Sequence, residues 1–410
     1  MQFAEAVQYL LSLGHETLAI KLGLRNTELL LAALNNPERS FKVVQIAGTN
    51  GKGSTAAMLD SICRAAGIRA GLYTSPHLVS ITERIRINSA EITPDDFARH
   101  ASTVRAVAED LLARTEIEAL PTFFEQVTAI ALIAFREAKV ELAILETGLG
   151  GRLDATTAAN AAIVGITPIA MDHEDYLGDT IASIASEKAA IIRSGVTTVI
   201  AEQPPEAFAV LLERCATVGV QPSLPENTNL SEAVCLSLRG RHQITNASVA
   251  IRVAQALGIS DAAIIRGLET TQHAGRLESI GPFLLDGAHN PAGAQALRTY
   301  LGEFGRRPLT LIFGAMRDKK LDRIAEAVFP LADCLILTPI DNPRAATTET
   351  LTPLAAEFCP GKVLTAESSA AAVLLAIAQT PADGLICVTG SLYLIGETRP
   401  LILNLVKETA

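Results

Sequence analysis

Apolar residues in this chain gather in short, nearly unbroken runs, and the stretches between them repeat with helical spacing. The first such runs are Val43-Val44-Gln45-Ile46-Ala47, Ala70-Gly71-Leu72-Tyr73, Leu142-Ala143-Ile144-Leu145 and Ala161 to Thr167. Later come Phe283-Leu284-Leu285, Leu309 to Phe313, Cys334-Leu335-Ile336-Leu337, Lys362-Val363-Leu364 and Leu385-Ile386-Cys387-Val388. A run without polar alternation reads as a strand covered on both faces, the habit of parallel sheets. Helical patterns follow, among them Ala56 to Ile62, Gln126 to Lys139, Ile184 to Ile192 and Ala247 to Leu257. The segment up to Asn36-Pro37 also reads as helical, a cap over the first sheet.

Strand and helix in alternation predict an α/β protein. A chain of 410 residues is long for a single core, so two domains are expected. The division is placed near Gly275-Arg276-Leu277-Glu278. Residues 1–279 would form an N-terminal domain of the P-loop ATPase type with a mainly parallel sheet, and residues 280–410 a smaller, Rossmann-like α/β domain. Gly275 to Pro282 is the expected hinge. Proline clusters at Pro204-Pro205 and Pro222 to Pro225 suggest surface connections.

Composition narrows the function. A net charge of −10 leaves no basic surplus for a nucleic-acid backbone, so anionic small molecules would need local basic pockets. The six cysteines form no CxxC or Cys/His cluster, which argues for reduced thiols rather than a zinc site or a disulfide framework. The start, Met1-Gln2-Phe3-Ala4-Glu5, lacks the basic opening and apolar run of a signal peptide, and no apolar stretch approaches a membrane span. The expected location is the cytoplasm, away from membranes.

The chemistry begins where the first strand breaks into Gly48-Thr49-Asn50-Gly51-Lys52-Gly53-Ser54-Thr55. Three glycines allow a tight turn with inward N–H groups, the next helix offers its positive end, and Lys52 adds a full charge. Ser54 and Thr55 are candidate magnesium ligands. The spacing departs from the usual P-loop, because Ile46 stands where its first glycine would fall and Gly53 follows the lysine. Other strands end in chemistry too. Ser75, in Thr74-Ser75-Pro76-His77, is either a turn residue or a group able to reach a metal ion. Glu146 ends a buried strand, the usual place for a magnesium carboxylate, and leads into the glycine-rich Thr147-Gly148-Leu149-Gly150-Gly151-Arg152-Leu153-Asp154. His173, in Asp172-His173-Glu174, could be a solvated turn residue or a ligand, and Lys188 could be half of an exposed Glu-Lys pair. Thr122 with Glu125 fits a capping box, and Phe123 and Phe124 could be simple core. Asp286, in Asp286-Gly287-Ala288-His289-Asn290-Pro291, could be a helix cap.

These motifs, in this order, resemble the folate branch of the Mur-ligase superfamily, the folylpolyglutamate synthase/dihydrofolate synthase family. The compact Gly-Thr-Asn-Gly-Lys loop, the extra Gly53, and Gly148 to Asp154 carry the resemblance most strongly. It implies an ATP-dependent ligase that joins L-glutamate to 7,8-dihydropteroate and to reduced folates through an acyl phosphate. By the same resemblance Thr49, Asn50, Gly51, Lys52, Gly53, Ser54, Asn246, Arg276 and Asp286 meet ATP. Ser75, Glu146, His173 and a carbamylated Lys188 would hold metal, with two Mg2+ ions and a monovalent cation such as K+ as cofactors. Thr122, Phe123, Phe124, Glu125, Leu153, Asp154 and Ala155 would line the pteroate site, and His289 and Ser391 would face the incoming glutamate. Lys52, Glu146, His173, Lys188 and His289 are the implied catalytic set, on a monomer. The region of Lys21 would form part of the pterin wall, although several members carry an acid there.

Within the family the chain could be a monofunctional dihydrofolate synthase or folylpolyglutamate synthase rather than carry both activities, and two readings outside it remain at this point. A cell-wall Mur ligase would share the loop, Glu146, His173 and Lys188, but would be expected to carry a nucleotide-sugar-binding domain before a loop that here begins near residue 48. A nucleotide switch without ligase chemistry would need neither the second metal constellation nor the pteroate loop.

Overall fold

A computed structural model describes residues 1–14, 23–225 and 234–409. Lys21, expected in the pterin wall, lies outside the described residues. The chain divides into two compact units, one of Met1–Ser237 with Thr245–Thr271, the other of Leu238–Ile244 with Gln272–Ala410.

The first unit is built on a seven-stranded sheet. Its strands are β1 (Lys42–Ala47), β2 (Ala70–Tyr73), β3 (Ile85–Ile87), β4 (Ala90–Glu91), β5 (Leu142–Glu146), β6 (Ile163–Ile166) and β7 (Thr197–Ile200), in the order β4-β3-β2-β5-β1-β6-β7. β2, β5, β1, β6 and β7 run parallel, whereas β3 pairs antiparallel with β2 and with β4. β1 lies between β5 and β6, with Val44 beside both Ile144 and Ile163. The chain leaves β1 towards one side for β2 and later crosses to the other for β6, so the carboxyl end of β1 is a topological switch point, where α/β sheets hold ligands. Burial on both faces explains the unbroken apolar runs. Phe135, fully buried, packs so closely on β2 that a Cβ on Gly71 would lie 2.5 Å from its Cδ1 atom.

The second unit holds a six-stranded sheet of β8 (Glu278–Ile280), β9 (Phe283–Leu285), β10 (Leu309–Phe313), β11 (Cys334–Leu337), β12 (Lys362–Thr365) and β13 (Leu385–Thr389), in the order β12-β11-β10-β13-β9-β8. Five strands are parallel, and β8 pairs antiparallel with β9. The segment expected as a hinge therefore contains a strand of this sheet. Phe313 and Phe329 meet edge to face at 4.9 Å in its core. Cys63, Cys215, Cys334 and Cys387 are buried thiols, and burial pushes Cys63 up to about 12. Among the described residues no helix is long and apolar enough to cross a membrane.

Candidate active site

The phosphate loop turns on two glycines that could be nothing else. Gly48 has φ +146, and a Cβ there would fall 1.9 Å from Thr167 Oγ1; Gly51 has φ +88, and its Cβ would fall 2.0 Å from Asn246 Oδ1. The second contact places Asn246, 3% exposed, directly against the loop. Helix Lys52–Ala65 begins at the lysine, aiming its positive end at the turn. The Lys52 ammonium donates back to the carbonyls of Gly48 (3.2 Å) and Thr49 (3.1 Å). The N–H groups of Thr49 and Asn50 both donate to Pro168 O, so the loop is tied to the chain leaving β6. The backbone N–H groups of Thr49 and Asn50 are thus engaged within the protein.

Beside the loop, β2 and β5 end next to each other. Ser75 N donates to Glu146 Oε2 at 3.0 Å, and Glu146 is 5% exposed. β6 delivers Asp172 and His173. His173 adopts the left-handed region, φ +53, and its N–H donates to Asp172 Oδ1. Lys188, on helix Ile181–Ala189, is 4% exposed and is not half of a solvated pair. Burial, and then the charge of Lys52, pull its amine from 10.5 down to about 7, against the opposing pull of Asp172, Asp154 and Glu187. An amine in this state is a nucleophile near neutral pH.

The glycine-rich loop lies on the same helix. Cβ atoms on Gly151 would meet Glu187 O at 2.9 Å, and Arg152 N donates to that same carbonyl. Asp154 is buried and accepts from Gly148 N, Leu149 N, Thr156 N and Thr156 Oγ1. Four donors fill a carboxylate's acceptor sites, so Asp154 shapes the loop. Leu153 is 37% exposed beside it and Ala155 is buried. Gly148 sits against the Phe124 ring, 2.5 Å from a would-be Cβ. Phe124 is half-buried, whereas Phe123 is core, with the Arg84 guanidinium 5.4 Å above its ring. Thr122 and Glu125 form the capping box, and Glu125 also accepts from Thr27 Oγ1.

Sequence reasoning passed over Gln45. Fully buried in β1, it places Nε2 within hydrogen-bond distance of the hydroxyls of Thr147 (3.2 Å), Thr156 (3.0 Å) and Thr157 (2.8 Å), among which its two N–H groups are shared, joining the strand of the phosphate loop to the neighbouring loop. The signal was available: a lone amide inside an apolar strand needs partners.

In the second unit β9 ends at Asp286, buried, which accepts from Leu277 N and Ala288 N, both at 3.0 Å. Burial pushes its carboxyl up, while Arg276 and the two backbone donors oppose the rise. Asp286 is not the helix cap; Asn290 is, accepting from Gly293 N ahead of helix Pro291–Phe304. His289 Nδ1 lies 2.8 Å from Gly287 O, a carbonyl that can only accept. Nδ1 therefore carries the proton and Nε2 is the acceptor of the neutral ring. Ser391 is buried after β13 and accepts from Tyr393 N; Gly390 N donates to Ala288 O, bringing the two strand ends together. His242 is pulled down to about 4 by burial, with Arg276 adding to the shift.

Among the described residues no three His, Cys, Asp or Glu side chains gather as a metal cluster. A magnesium ion still fits the first unit, because Mg2+ commonly takes one or two carboxylates and completes its shell with phosphate oxygens, hydroxyls and water. The buried Glu146 carboxylate beside Ser75 supplies such a start.

Two family descriptions match the chain: the Mur ligase middle domain over residues 46–254 and the Mur ligase glutamate ligase domain over residues 275–392. A "probable bifunctional folylpolyglutamate synthase/dihydropteroate synthase" of Halobacterium salinarum is 36% identical over 97% of this chain, which spans 51% of that relative's length. The dihydrofolate synthase/folylpolyglutamate synthase of Bacillus subtilis is 32% identical over 94% of this chain and 96% of its own. Escherichia coli FolC, solved in complex with DHPP and ADP, superposes with TM-score 0.88 at 30% identity, covering 98% of both chains. The Yersinia pestis folylpolyglutamate synthase/dihydrofolate synthase complexed with AMPPNP and Mn ion gives 0.84 at 28% identity, again over 98% of both. The chain belongs to the dihydrofolate synthase/folylpolyglutamate synthase family of Mur ligases.

Proposed function

We propose that this chain is an ATP-dependent ligase that joins L-glutamate to the carboxylate of 7,8-dihydropteroate and to the γ-carboxylate of reduced folates. The observation that carries the reading is Lys188, an amine buried beside Lys52 and held near neutrality, at the sheet edge that also gathers Asn246, Ser75 and Glu146. The relatives add their ligands: ADP and DHPP on one, AMPPNP and manganese on another. ATP and a divalent metal are thus the cofactors read onto this chain, with two Mg2+ ions and a K+ ion as the finer assignment.

The chemistry follows from charge. A carboxylate resists an amine because its leaving oxygen is poor and its charge repels the nucleophile. In the first step a pteroate carboxylate oxygen attacks the γ-phosphorus, the bond to the bridging oxygen breaks, and ADP leaves with that electron pair. Lys52 and the N–H groups from Gly51 to Ser54 stabilise the charge on the transferring group, and Asn246 orients the nucleotide. Ser75, Glu146 and His173 would hold the metal, which neutralises phosphate charge when bound. The neutral Lys188 amine attacks CO2, an N–C bond forms and one proton leaves, so a buried amine becomes a carbamate anion able to join those ligands. Phe124, Leu153, Ala155 and the loop shaped by Asp154 frame the flat pteroate, alongside Thr122, Phe123 and Glu125. Glutamate then attacks the acyl phosphate, the tetrahedral intermediate collapses, and phosphate leaves. Arg276 and Asp286 serve the nucleotide, and His289, through Nε2, accepts a proton from the glutamate ammonium, with Ser391 holding the amino acid. The working unit is a monomer in the cytoplasm.

The test is phosphate release that requires both ATP and glutamate, measured with 7,8-dihydropteroate and with a reduced folate monoglutamate. Turnover of both is expected. Turnover of one alone assigns a single synthase activity, and release with neither sinks the reading.

A further inference from the structure

Arg276 sits in a turn whose backbone an ordinary sequence would not adopt unaided. Leu277, immediately after it, has φ +47, a left-handed conformation for a residue with a branched side chain. Such a residue persists only where its surroundings over-determine it, and here two carboxylates hold the turn. Asp286 accepts from Leu277 N at 3.0 Å, while Glu278 Oε2 accepts from Gly275 N at 2.9 Å. A third tie, Gly287 N to Gly275 O at 2.9 Å, closes the turn against the end of β9. Gly287 leaves room for the guanidinium: a Cβ there would come within 3.0 Å of Arg276 Nη1.

The Glu278 carboxylate is itself held. Arg399, from helix Leu392–Thr409, places Nε 2.9 Å from Oε2 and 3.1 Å from Oε1, and Nη2 2.7 Å from Oε1. This fork-on-carboxylate geometry fixes direction as well as charge. Its side chains are 27% and 19% exposed, so the pair is partly shielded from water. The helix carrying Arg399 starts directly after Ser391, so one helix meets the strand end of Ser391 at its first turn and the turn of Arg276 further along.

We propose that Glu278 and Arg399 are positioning residues for nucleotide binding: the Arg399–Glu278 fork braces the Gly275–Glu278 turn and so sets the direction of the Arg276 guanidinium. This rests on the reading above that Arg276 serves ATP. A loosened turn would let the guanidinium wander and would weaken nucleotide binding without touching the pteroate site, whose residues lie in the other unit.

The experiment measures AMPPNP affinity by calorimetry, with KM values for ATP and dihydropteroate and the melting temperature, in Arg276→Ala, Glu278→Gln, Arg399→Met and Arg399→Lys. Glu278→Gln and Arg399→Met should each weaken AMPPNP and raise KM for ATP about tenfold, with KM for dihydropteroate within about twofold. Arg399→Lys keeps the charge without the fork, and should fall between wild type and Arg399→Met. The double variant should be no worse than the weaker single, because both remove one brace. If Arg276→Ala weakens the nucleotide but the brace variants lower only the melting temperature, the positioning role is overturned. If Arg276→Ala itself leaves AMPPNP affinity unchanged, the nucleotide reading of Arg276 fails, and the brace as proposed falls with it.

Discussion

The two sheets end in acids and cations alike, yet they spend them differently. At the first edge charge is left in tension: Lys52 is folded onto two loop carbonyls, and Lys188 is buried within reach of it. At the second edge charge is consumed by structure: both oxygens of Asp286 and both of Glu278 are bonded, and the histidine is tied to a carbonyl. Pulling the lysine down to about 7 is worth on the order of 5 kcal/mol against the charged form. That is a large share of a typical folding free energy. On the proposed function, the first edge would hold its electrostatics for a bound anion or for CO2, and the second would be a scaffold that aims a few groups.

The sharpest way to break this contrast is Lys188→Met. It removes a buried cation and leaves a chain of similar volume, a change that is neutral or stabilising where charge was a burden. The ligase rate should fall by about 10³-fold or more, while the melting temperature holds or rises. A variant that melts lower and keeps its activity would mean that Lys188 is structural.

The same lysine gives a smaller effect with a sign. Unfolded, the amine holds its proton to about 10.5; folded, it loses it near 7. Between those values the unfolded chain binds more protons, so stability rises with pH across that window, and below 7 the penalty is present in full. In CO2-depleted buffer the wild-type melting temperature should climb from pH 7 towards pH 9, and in Lys188→Met that climb should flatten. Equal slopes in the two proteins would remove Lys188 as their source. At limiting CO2, activity should also decline as pH falls through about 7, because a protonated amine cannot be carbamylated.

Much of this was legible in the chain, for physical reasons that differ by residue. Parallel strands announce themselves where both faces are covered, as in β9, β10, β11 and β13, which are buried throughout and coincide with apolar runs; the edge strand β12 shows only Val363 and Leu364. The antiparallel strands β3, β4 and β8 and the more polar edge strand β7 were not read, since charged or hydroxyl residues interrupt each of them and leave no apolar run. Gly48 and Gly51 were visible as glycines, but only the fold shows that Thr167 and Asn246 occupy the space their side chains would need. For Asp286 the sequence leaves a cap as an open role, because an acid before a helix usually is one; the cap is Asn290, four residues on. Pairs far apart in sequence, Glu278 with Arg399 and Gln45 with Thr157, were out of reach, because no local pattern encodes which side chain will return to meet another.

The smallest effect tests the scaffold side of the comparison. Asn290 accepts from Gly293 N at 2.8 Å, with Pro291 supplying a first helical residue that has no N–H to satisfy. Removing the side chain leaves one donor at the helix start without its bond, a loss of ~1 kcal/mol. Asn290→Ala should therefore lower the melting temperature by about 2–4 °C, the range for a domain of this kind, and Asn290→Asp, which caps equally well, should restore it. If the second edge is scaffold, the alanine variant should keep the wild-type KM for ATP to within about twofold. A KM for ATP that rises with an unchanged melting temperature would show instead that Asn290 acts on the nucleotide, and that the second edge, like the first, holds side chains in reserve.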